Sequence, residues 1–495
     1  MSAPNKTPEP TDPLAAQQTA NMADFRDHIA TADKKGYRKW IYPKKVDGKW
    51  FRWRTWMSWV LLAIMFVGPF VRINGNPLLM INIVERKFSI LGQIFWPQDT
   101  FIFAVAMLVF FVGIMIFTTA FGRLWCGWTC PQTVMMEMVF RKIEYWIDGD
   151  AHEQKALAAA PWSPHKIWKR VSKYGVFFIL SFIVGNTLFS YIVGSDKLFQ
   201  IITDDPRNHV TGLTFMILFT LLFFAIFARF REQACTFICP YGRFQSALLD
   251  ENTMVVAYDY KRGEGRAPLK RDQTPEARKA EGKGDCVNCH QCVAVCPTGI
   301  DIRNGVQMEC VNCTACIDAC DTVMDKVGKP RGLIRYASLN GIEKGESLKF
   351  TARMKLYSVI LTALITLFLV LVFTRSDVET ALLRAPGSLF QKLGDDRISN
   401  IYTLRVVNKT GHDIPVELRL LNSEGTVKVL GAGEFIVPKE NSSQTSVLIE
   451  LEEDDLDGAS THLEIGVYSQ GKLLETVKTA FVGPRKEHHE HGDKD

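Results

Sequence analysis

The chain has 495 residues, 47% of them hydrophobic, with 58 basic and 53 acidic side chains and a formal net charge of +5. That length implies several domains, and so small a charge excess gives no argument for nucleic-acid binding. The apolar residues are gathered into long runs between strongly polar ones, so the composition is that of a mixed membrane and soluble protein.

Met1 to about Asp33 is rich in Pro, Ala, Thr, Gln and Asp and reads as disordered. The first fifty residues lack the apolar h-region of a signal peptide. Lys34 to Arg54 is basic and aromatic, with Trp40, Trp50 and Trp53 and then Trp56 beyond it, as expected of interface anchors. Specific recognition of anionic lipid is the alternative reading of that stretch.

Five segments approach the length of roughly twenty apolar residues needed to span a bilayer, the first being somewhat short unless Trp53 and Trp56 sit in the interface. They are Met57–Val71, Phe101–Phe121, Tyr174–Val193, Val210–Phe230 and Leu356–Phe373. Leu78–Trp96 carries Glu85, Arg86 and Lys87 at its centre, which are costly in lipid, and reads as an interfacial re-entrant or loop segment. Lys and Arg crowd the N-terminal segment, the 141–173 loop and the 261–355 region. Five spans then predict a cytoplasmic N-terminus and an exported C-terminus.

All twelve cysteines fall into four groups. Cys126/Cys130 and Cys235/Cys239 form two C-x-x-x-C-P pairs, each following a hairpin of two spans, and so mark an internal repeat. Such repeats tend to build a shared site at their interface. Residues four apart share a face of a helix, so each pair is expected to present two sulfurs from one side at a helix end. Four thiolates suit Cu(I), zinc or a further iron–sulfur cluster. A redox-active dithiol and buried small hydrophobes are the other readings.

Cys286, Cys289, Cys292 and Cys296 form a C-x-x-C-x-x-C-x-x-x-C-P run, and Cys310, Cys313, Cys316 and Cys320 repeat its spacing. Asp321 stands where a second proline would follow. In two-cluster ferredoxins the fourth cysteine of each run ligates the other cluster. Cys286, Cys289, Cys292 and Cys320 are thus expected to hold one [4Fe–4S] cluster, and Cys296, Cys310, Cys313 and Cys316 the second. Two zinc knuckles are the alternative, but they would not need interlocked runs. Cys286–His290 also matches the haem-attachment pattern C-x-x-C-H. It lies inside the ferredoxin run, on the side of the membrane opposite to haem attachment. No G-x-G-x-x-G follows a predicted strand and no P-loop appears, so electrons are expected from another protein or from quinol.

Met135, Met136 and Met138 follow the first pair and read as core filling rather than copper ligands. His488, His489 and His491 in the tail read as part of a terminus rather than a metal site. From about Ile398 the pattern alternates. Strands are predicted at Ile401–Val407, Ile414–Leu421, Thr426–Leu430, Gln444–Leu451, His462–Val467 and Leu473–Phe481, as in an immunoglobulin-like sandwich.

The order of hairpin, CGWTCPQTV, hairpin, CTFICPYGRFQ and CVNCHQCVAVCPTGIDIRNGVQMECVNCTACIDAC resembles the cytochrome c oxidase accessory protein family (FixG/RdxA/CcoG). The resemblance covers nearly the whole chain. It implies a bacterial inner-membrane iron–sulfur protein that supports assembly of a cbb-type oxidase by reducing Cu(II) to Cu(I). Partners would then be oxidase assembly factors or a copper transporter or chaperone, besides the bilayer and an electron donor. The C-x-x-x-C-P part alone resembles membrane subunits of nitrate and nitrous-oxide respiration, which pass quinol electrons to clusters.

The expected architecture is an α-helical membrane bundle with a two-cluster ferredoxin-like insert and an all-β C-terminal domain. Residues 1–54 form the basic N-terminal segment and 55–250 the four-span region. The ferredoxin domain takes 251–350, the fifth span 351–376, the sandwich 377–484 and the His-rich tail 485–495. The expected function is electron transfer with cupric reduction at Cys126, Cys130, Cys235 and Cys239. Oxidation of quinol and a non-catalytic copper-binding scaffold are the alternatives.

Overall fold

The structure is a computed structural model. It describes residues 30–484 except 33–34, 36, 74–75, 83–86, 91, 96–98, 271–272, 347–348, 386–389, 394–396, 432–433, 440 and 457. The N-terminal segment before residue 30 and the His-rich tail lie outside the described residues. The chain divides into two compact units, residues 1–71, 77–85 and 101–368 in the larger and 72–76, 86–100 and 369–495 in the smaller.

In the larger unit α1 is Lys49–Val67, α2 Thr100–Phe121, α3 Leu124–Trp128, α4 Arg141–Ile147, α5 Pro164–Val193, α6 Ser195–Thr203, α7 Val210–Ala225, α8 Pro240–Leu248, α9 Ala315–Lys326 and α10 Ala352–Phe373. Among the described residues four helices are long and apolar enough to cross a membrane: α2, α5, α10 and the continuous helix Pro206–Phe230 that contains α7. The predicted first span, α1, is not one of them, since its first two turns carry Lys49, Arg52 and Arg54.

Its position nevertheless runs the depth of the bundle. At its start the Trp50 and Phe51 N–H groups donate to the Asp318 carboxylate on α9 at 3.1 and 2.7 Å. Asp318 thus satisfies two of the donors that every helix N-terminus leaves open. A Cβ at Gly48 would strike that carboxylate, so the approach needs glycine. At the other end the Tyr191 hydroxyl, near the far end of α5, donates to the Ile64 and Met65 carbonyls. Nineteen residues at about 1.5 Å each cover roughly 28 Å.

α5 is the most enclosed of the long helices and packs against α4, α7 and α1. Beneath it Phe140 stacks on Phe227 at 4.3 Å between centroids and meets Phe177 edge-on. Phe140 and Phe227 belong to the two halves of the internal repeat, so the halves meet at this ring pair. Met135, Met136 and Met138 are buried beside it and fill the core, as expected. Next to these rings Arg141 pairs with Glu137 and Glu232, Lys173 with Glu144 and Asp148, and Arg231 with Glu144.

The described residues of Leu78–Trp96 form short strands, Leu79–Asn82, Lys87–Ile90 and Gln93–Phe95, and no helix. Leu79–Asn82 packs on α5. Glu85 and Arg86 lie outside the described residues.

After α8 the chain enters a two-stranded sheet, β1 Val255–Tyr258 paired antiparallel with β2 Ile334–Ala337. The cysteine runs lie between these strands. The end of α2 is tied to this sheet, with Met254 N–H donating to the Ala120 carbonyl.

In the smaller unit the strands are β3 Val378–Arg384, β4 Gln391–Leu393, β5 Arg397–Asn408, β6 Ile414–Leu420, β7 Gly425–Leu430, β8 Phe435–Val437, β9 Ser442–Glu452, β10 Ser460–Ser469 and β11 Lys472–Val482. One sheet has the order β7-β9-β5-β3 with β4 on β5, the other β8-β6-β10-β11. Inward positions alternate along each strand. Leu404 and Val406 of β5, Val447 and Ile449 of β9, and Leu463 and Val467 of β10 are fully buried between the sheets. The Tyr402 hydroxyl on β5 donates to the Ala480 carbonyl on β11 at 2.9 Å, joining the two. Asp99, ahead of α2, accepts from Arg375 and Lys409 of the same unit.

Candidate metal and electron-transfer centre

The two runs CVNCHQC and CVNCTAC share a backbone as well as a spacing. Asn288 and His290 in the first, and Asn312 and Thr314 in the second, all have φ between 54° and 67°. Side chains rarely accept this left-handed conformation, yet it recurs at the third and fifth position of each run. The asparagine side chains are anchored, Asn288 by Arg303 Nη1 at 2.7 Å and Asn312 by Val256 N–H at 3.2 Å. Each run then enters a helix, Gln291–Ala294 or α9.

The sulfurs group crosswise. Burial pushes the Cys320 thiol up to about 12, and the sulfurs that add to the effect are those of Cys292, Cys286 and Cys289. Burial pushes Cys310 to about 12 and Cys313 to about 11, with Cys296 among the sulfurs acting on both. Cys316, also raised by burial, is acted on first by Cys313, Cys310 and Cys296 and last by Cys292. Cys296, Cys310, Cys313 and Cys316 line one cavity with Val256, Ile300 and Ile302, and Cys292 of the other set reaches its edge. Thiols in an apolar shell, four to a set, fit a [4Fe–4S] cluster in donor type and number. His290 Nδ1 lies 2.9 Å from Arg303 Nη2, so the ring is engaged within the ferredoxin loop.

The C-x-x-x-C-P pairs do not lie on one helix face as expected. Cys126 is in α3, but Cys130 has φ −60° and ψ 124° and starts a new helical turn at Pro131. Cys235 lies in the π-helical turn Ala234–Ile238, and Cys239, with ψ 112°, caps α8 at Pro240. A following proline drives its neighbour out of the α region, so each pair straddles a break. The four sulfurs still converge. Burial raises Cys126 to about 11, with Cys130 and Cys239 adding to it. Burial raises Cys235 to about 12, with Cys130, Cys126 and Cys239 adding to it. The Cys126 thiol donates to Gln245 Oε1 at 3.1 Å.

This quartet adjoins the second ferredoxin set. Cys126, Val311 and Cys313 are buried in one cluster. Arg54 Nε donates to the Gly127 carbonyl at 2.7 Å, and its charge favours the Cys313 thiolate. Arg123 acts in the same way on Cys126, Cys235 and Cys310. Trp128 Nε1 donates to the Tyr336 hydroxyl at 3.1 Å, which donates to the Asn312 carbonyl at 3.2 Å. Sequence reasoning missed Arg54, Arg123, Gln245 and Tyr336. Only Arg123, three residues before a repeated cysteine, carried a local signal. At the other end of the dicluster region Cys289 is the one exposed cysteine of the twelve.

Comparison with known proteins agrees with this geometry. A family described as a 4Fe-4S dicluster domain matches residues 230–339. One described as a 4Fe-4S binding domain matches 103–149 and 209–250, which hold both C-x-x-x-C-P pairs. A third, an IG-like fold at the C-terminal of FixG, matches 368–484. Protein RdxA of Cereibacter sphaeroides is 34% identical over 469 residues, covering 90% of this chain and 97% of its own. Protein RdxB of the same organism is 33% identical over 76% of this chain and 80% of its own. Nitrogen fixation protein FixG of Rhizobium meliloti is 38% identical over 65% of this chain and 61% of its own. The chain therefore belongs to the FixG/RdxA family and is a membrane iron–sulfur electron-transfer protein.

Proposed function

We propose that the protein carries single electrons from a solvent-facing port at Cys289 to the quartet Cys126, Cys130, Cys235 and Cys239, where a cupric ion is reduced. The Cu(I) produced would serve assembly of a cbb-type cytochrome c oxidase. The observation that supports this reading is that Cys126 of the quartet is buried in one cluster with Val311 and Cys313 of the second ferredoxin run.

When bound, the two [4Fe–4S] clusters supply one-electron storage and transfer. The protein does the rest. Cys286, Cys289, Cys292 and Cys320 would hold one cluster, and Cys296, Cys310, Cys313 and Cys316 the other. Arg54 and Arg123 place positive charge between the second set and the quartet. The substrate Cu²⁺ gains one electron to become Cu⁺, and soft thiolates favour that product.

The proposed orientation is in a bacterial inner membrane. It puts the dicluster region and the starts of α1 and α5 in the cytoplasm, where Lys and Arg concentrate, and the sandwich in the periplasm.

The match of a 4Fe-4S binding domain to both pairs favours a second reading, in which the quartet holds a third [4Fe–4S] cluster. Iron analysis of anaerobically purified protein separates the two, at about eight irons per chain against about twelve. The copper reading is tested with a Cys126→Ala/Cys130→Ala/Cys235→Ala/Cys239→Ala variant that keeps about eight irons. Dithionite-reduced wild type should yield Cu(I), trapped by a chelator, and the variant should not. An equal yield would remove the quartet from the mechanism.

A further inference from the structure

At the foot of α1 a cavity of about 630 Å³ opens between the N-terminal arm, α1, α4 and the ferredoxin loops. Lys44, Lys45, Arg54, Arg141 and Lys142 line it. Three carboxylates share the lining, a net excess of two positive charges (five less three), and each carboxylate is already engaged. Glu137 pairs with Arg141, Asp150 accepts from the Lys45 N–H, and Glu153 accepts from the Asp150 N–H.

Two of the cations are buried in the wall. Arg54 is 3% exposed and Arg141 2%. Nη2 of Arg54 and Nη1 of Arg141 have no hydrogen-bond acceptor. Arg141 is already paired with Glu137 and Glu232, whereas Arg54 meets the Gly127 carbonyl through Nε and its Nη2 has no acceptor, so the cation in the wall open to an added anionic oxygen is Arg54. The planar guanidinium fork matches carboxylate and phosphate.

The position identifies the anion. Arg54 lies beside Trp53 and Trp56, which are 62% and 72% exposed, and on the other wall Trp146 is 82% exposed. Exposed tryptophans collect at headgroup level, and basic pockets beside membrane helices take anionic lipid headgroups. We propose that this cavity binds the headgroup of an anionic phospholipid, with its phosphate among Lys45, Arg54 and Lys142. The Lys34–Arg54 stretch is then a recognition element as well as an anchor. The inner wall holds Pro297 and Ala315, next to Cys296 and Cys316, so the bound phosphate lies beside the second ferredoxin set.

The test uses the full chain in detergent with fluorescent phosphatidylglycerol as the probe. Competitors are unlabelled phosphatidylglycerol, phosphatidylcholine and inorganic phosphate. The rim variant Lys45→Glu/Lys142→Glu leaves the buried wall intact, and Arg54→Gln alters the wall itself. Cluster absorption and iron content report folding. We expect saturable binding, displaced by phosphatidylglycerol but not by phosphatidylcholine, and weaker by about tenfold or more in the rim variant with cluster content unchanged. Should Arg54→Gln fail to take up iron, the rim variant decides alone. Equal binding by wild type and rim variant, equal displacement by phosphatidylcholine, or displacement by inorganic phosphate as effective as by the lipid would each overturn the proposal.

Discussion

Cys126 and Cys313 are buried in one cluster with Val311, although one belongs to a C-x-x-x-C-P pair and the other to a ferredoxin run 187 residues later by numbering (313 less 126). The chain reaches this contact because Gly127 packs directly on the backbone of Val311 and Asn312. Two metal-type motifs, far apart in sequence, thus share one wall.

Gly127→Ala tests that wall. An added Cβ would collide with the Val311 carbonyl and come within 2.9 Å of the Asn312 carbonyl. Backbone cannot swing aside as a side chain can, so we expect a loss of about 1–3 kcal/mol. Thermal unfolding should begin at lower temperature and Cu(II) should reoxidise the reduced protein more slowly, with iron content retained. If neither changes, the two segments are not in contact in solution.

Crosswise ligation makes Cys296 and Cys320 the informative pair. Cys296→Ser should lose the set that contains Cys310, Cys313 and Cys316, and Cys320→Ser the set that contains Cys286, Cys289 and Cys292. EPR of the reduced variants should show a different remaining signal in each case. Loss of the near-neighbour set instead, Cys286–Cys292 on mutating Cys296, would mean that each run closes on itself.

Glu144 anchors the charge network that joins the two repeat halves. Burial alone would raise its pKa, but the charges of Arg231, Lys173 and Arg141 outweigh it and hold the carboxyl at about 2. An unfolded glutamate titrates near 4.3. The stabilisation is therefore complete above the unfolded value and is lost only as pH falls through about 2. Glu144→Gln should cost about 3–5 kcal/mol by leaving buried cations uncompensated. Thermal unfolding should show the same deficit at pH 5 and pH 8. A deficit that disappeared between those values would contradict the assignment.

Tyr402 joins the two sheets of the sandwich. Tyr402→Phe leaves the Ala480 carbonyl without its donor, at about 1 kcal/mol or somewhat more. Hydrogen exchange of the full chain should speed up in β5 and β11 before it does in the dicluster region. Unchanged exchange in those strands would show that the bond contributes nothing.

The parts of this molecule that were legible in the sequence are those governed by short-range spacing. The ferredoxin runs are four-cysteine patterns with a geometric reason, and β5, β9, β10 and β11 announce themselves by strict alternation. β3 was missed because Thr380 and Glu379 interrupt the apolar pattern just after a span. α5 begins at Pro164, capped by Ser163, ten residues before the predicted start, since apolarity marks only the part of a helix in lipid. The one-face reading of the cysteine pairs took Pro131 and Pro240 to mark a helix end but still counted the second cysteine as helical, whereas Cys130 and Cys239 have already left the helical conformation. Arg54 was not legible because the sulfur it acts on, Cys313, lies well over a hundred residues away, and the same holds for the action of Arg123 on Cys235 and Cys310, though not on nearby Cys126.

The most direct test of the central claim is freeze-quench EPR of dithionite-reduced protein mixed with one equivalent of Cu(II). Cys126 shares a buried cluster with Cys313, so the wild-type cluster signal should fall as the Cu(II) signal falls, one electron for each copper. The fourfold alanine variant, with its ferredoxin cysteines intact, should keep both signals. Equal and simultaneous loss of both signals in the variant would contradict electron delivery through Cys126, Cys130, Cys235 and Cys239.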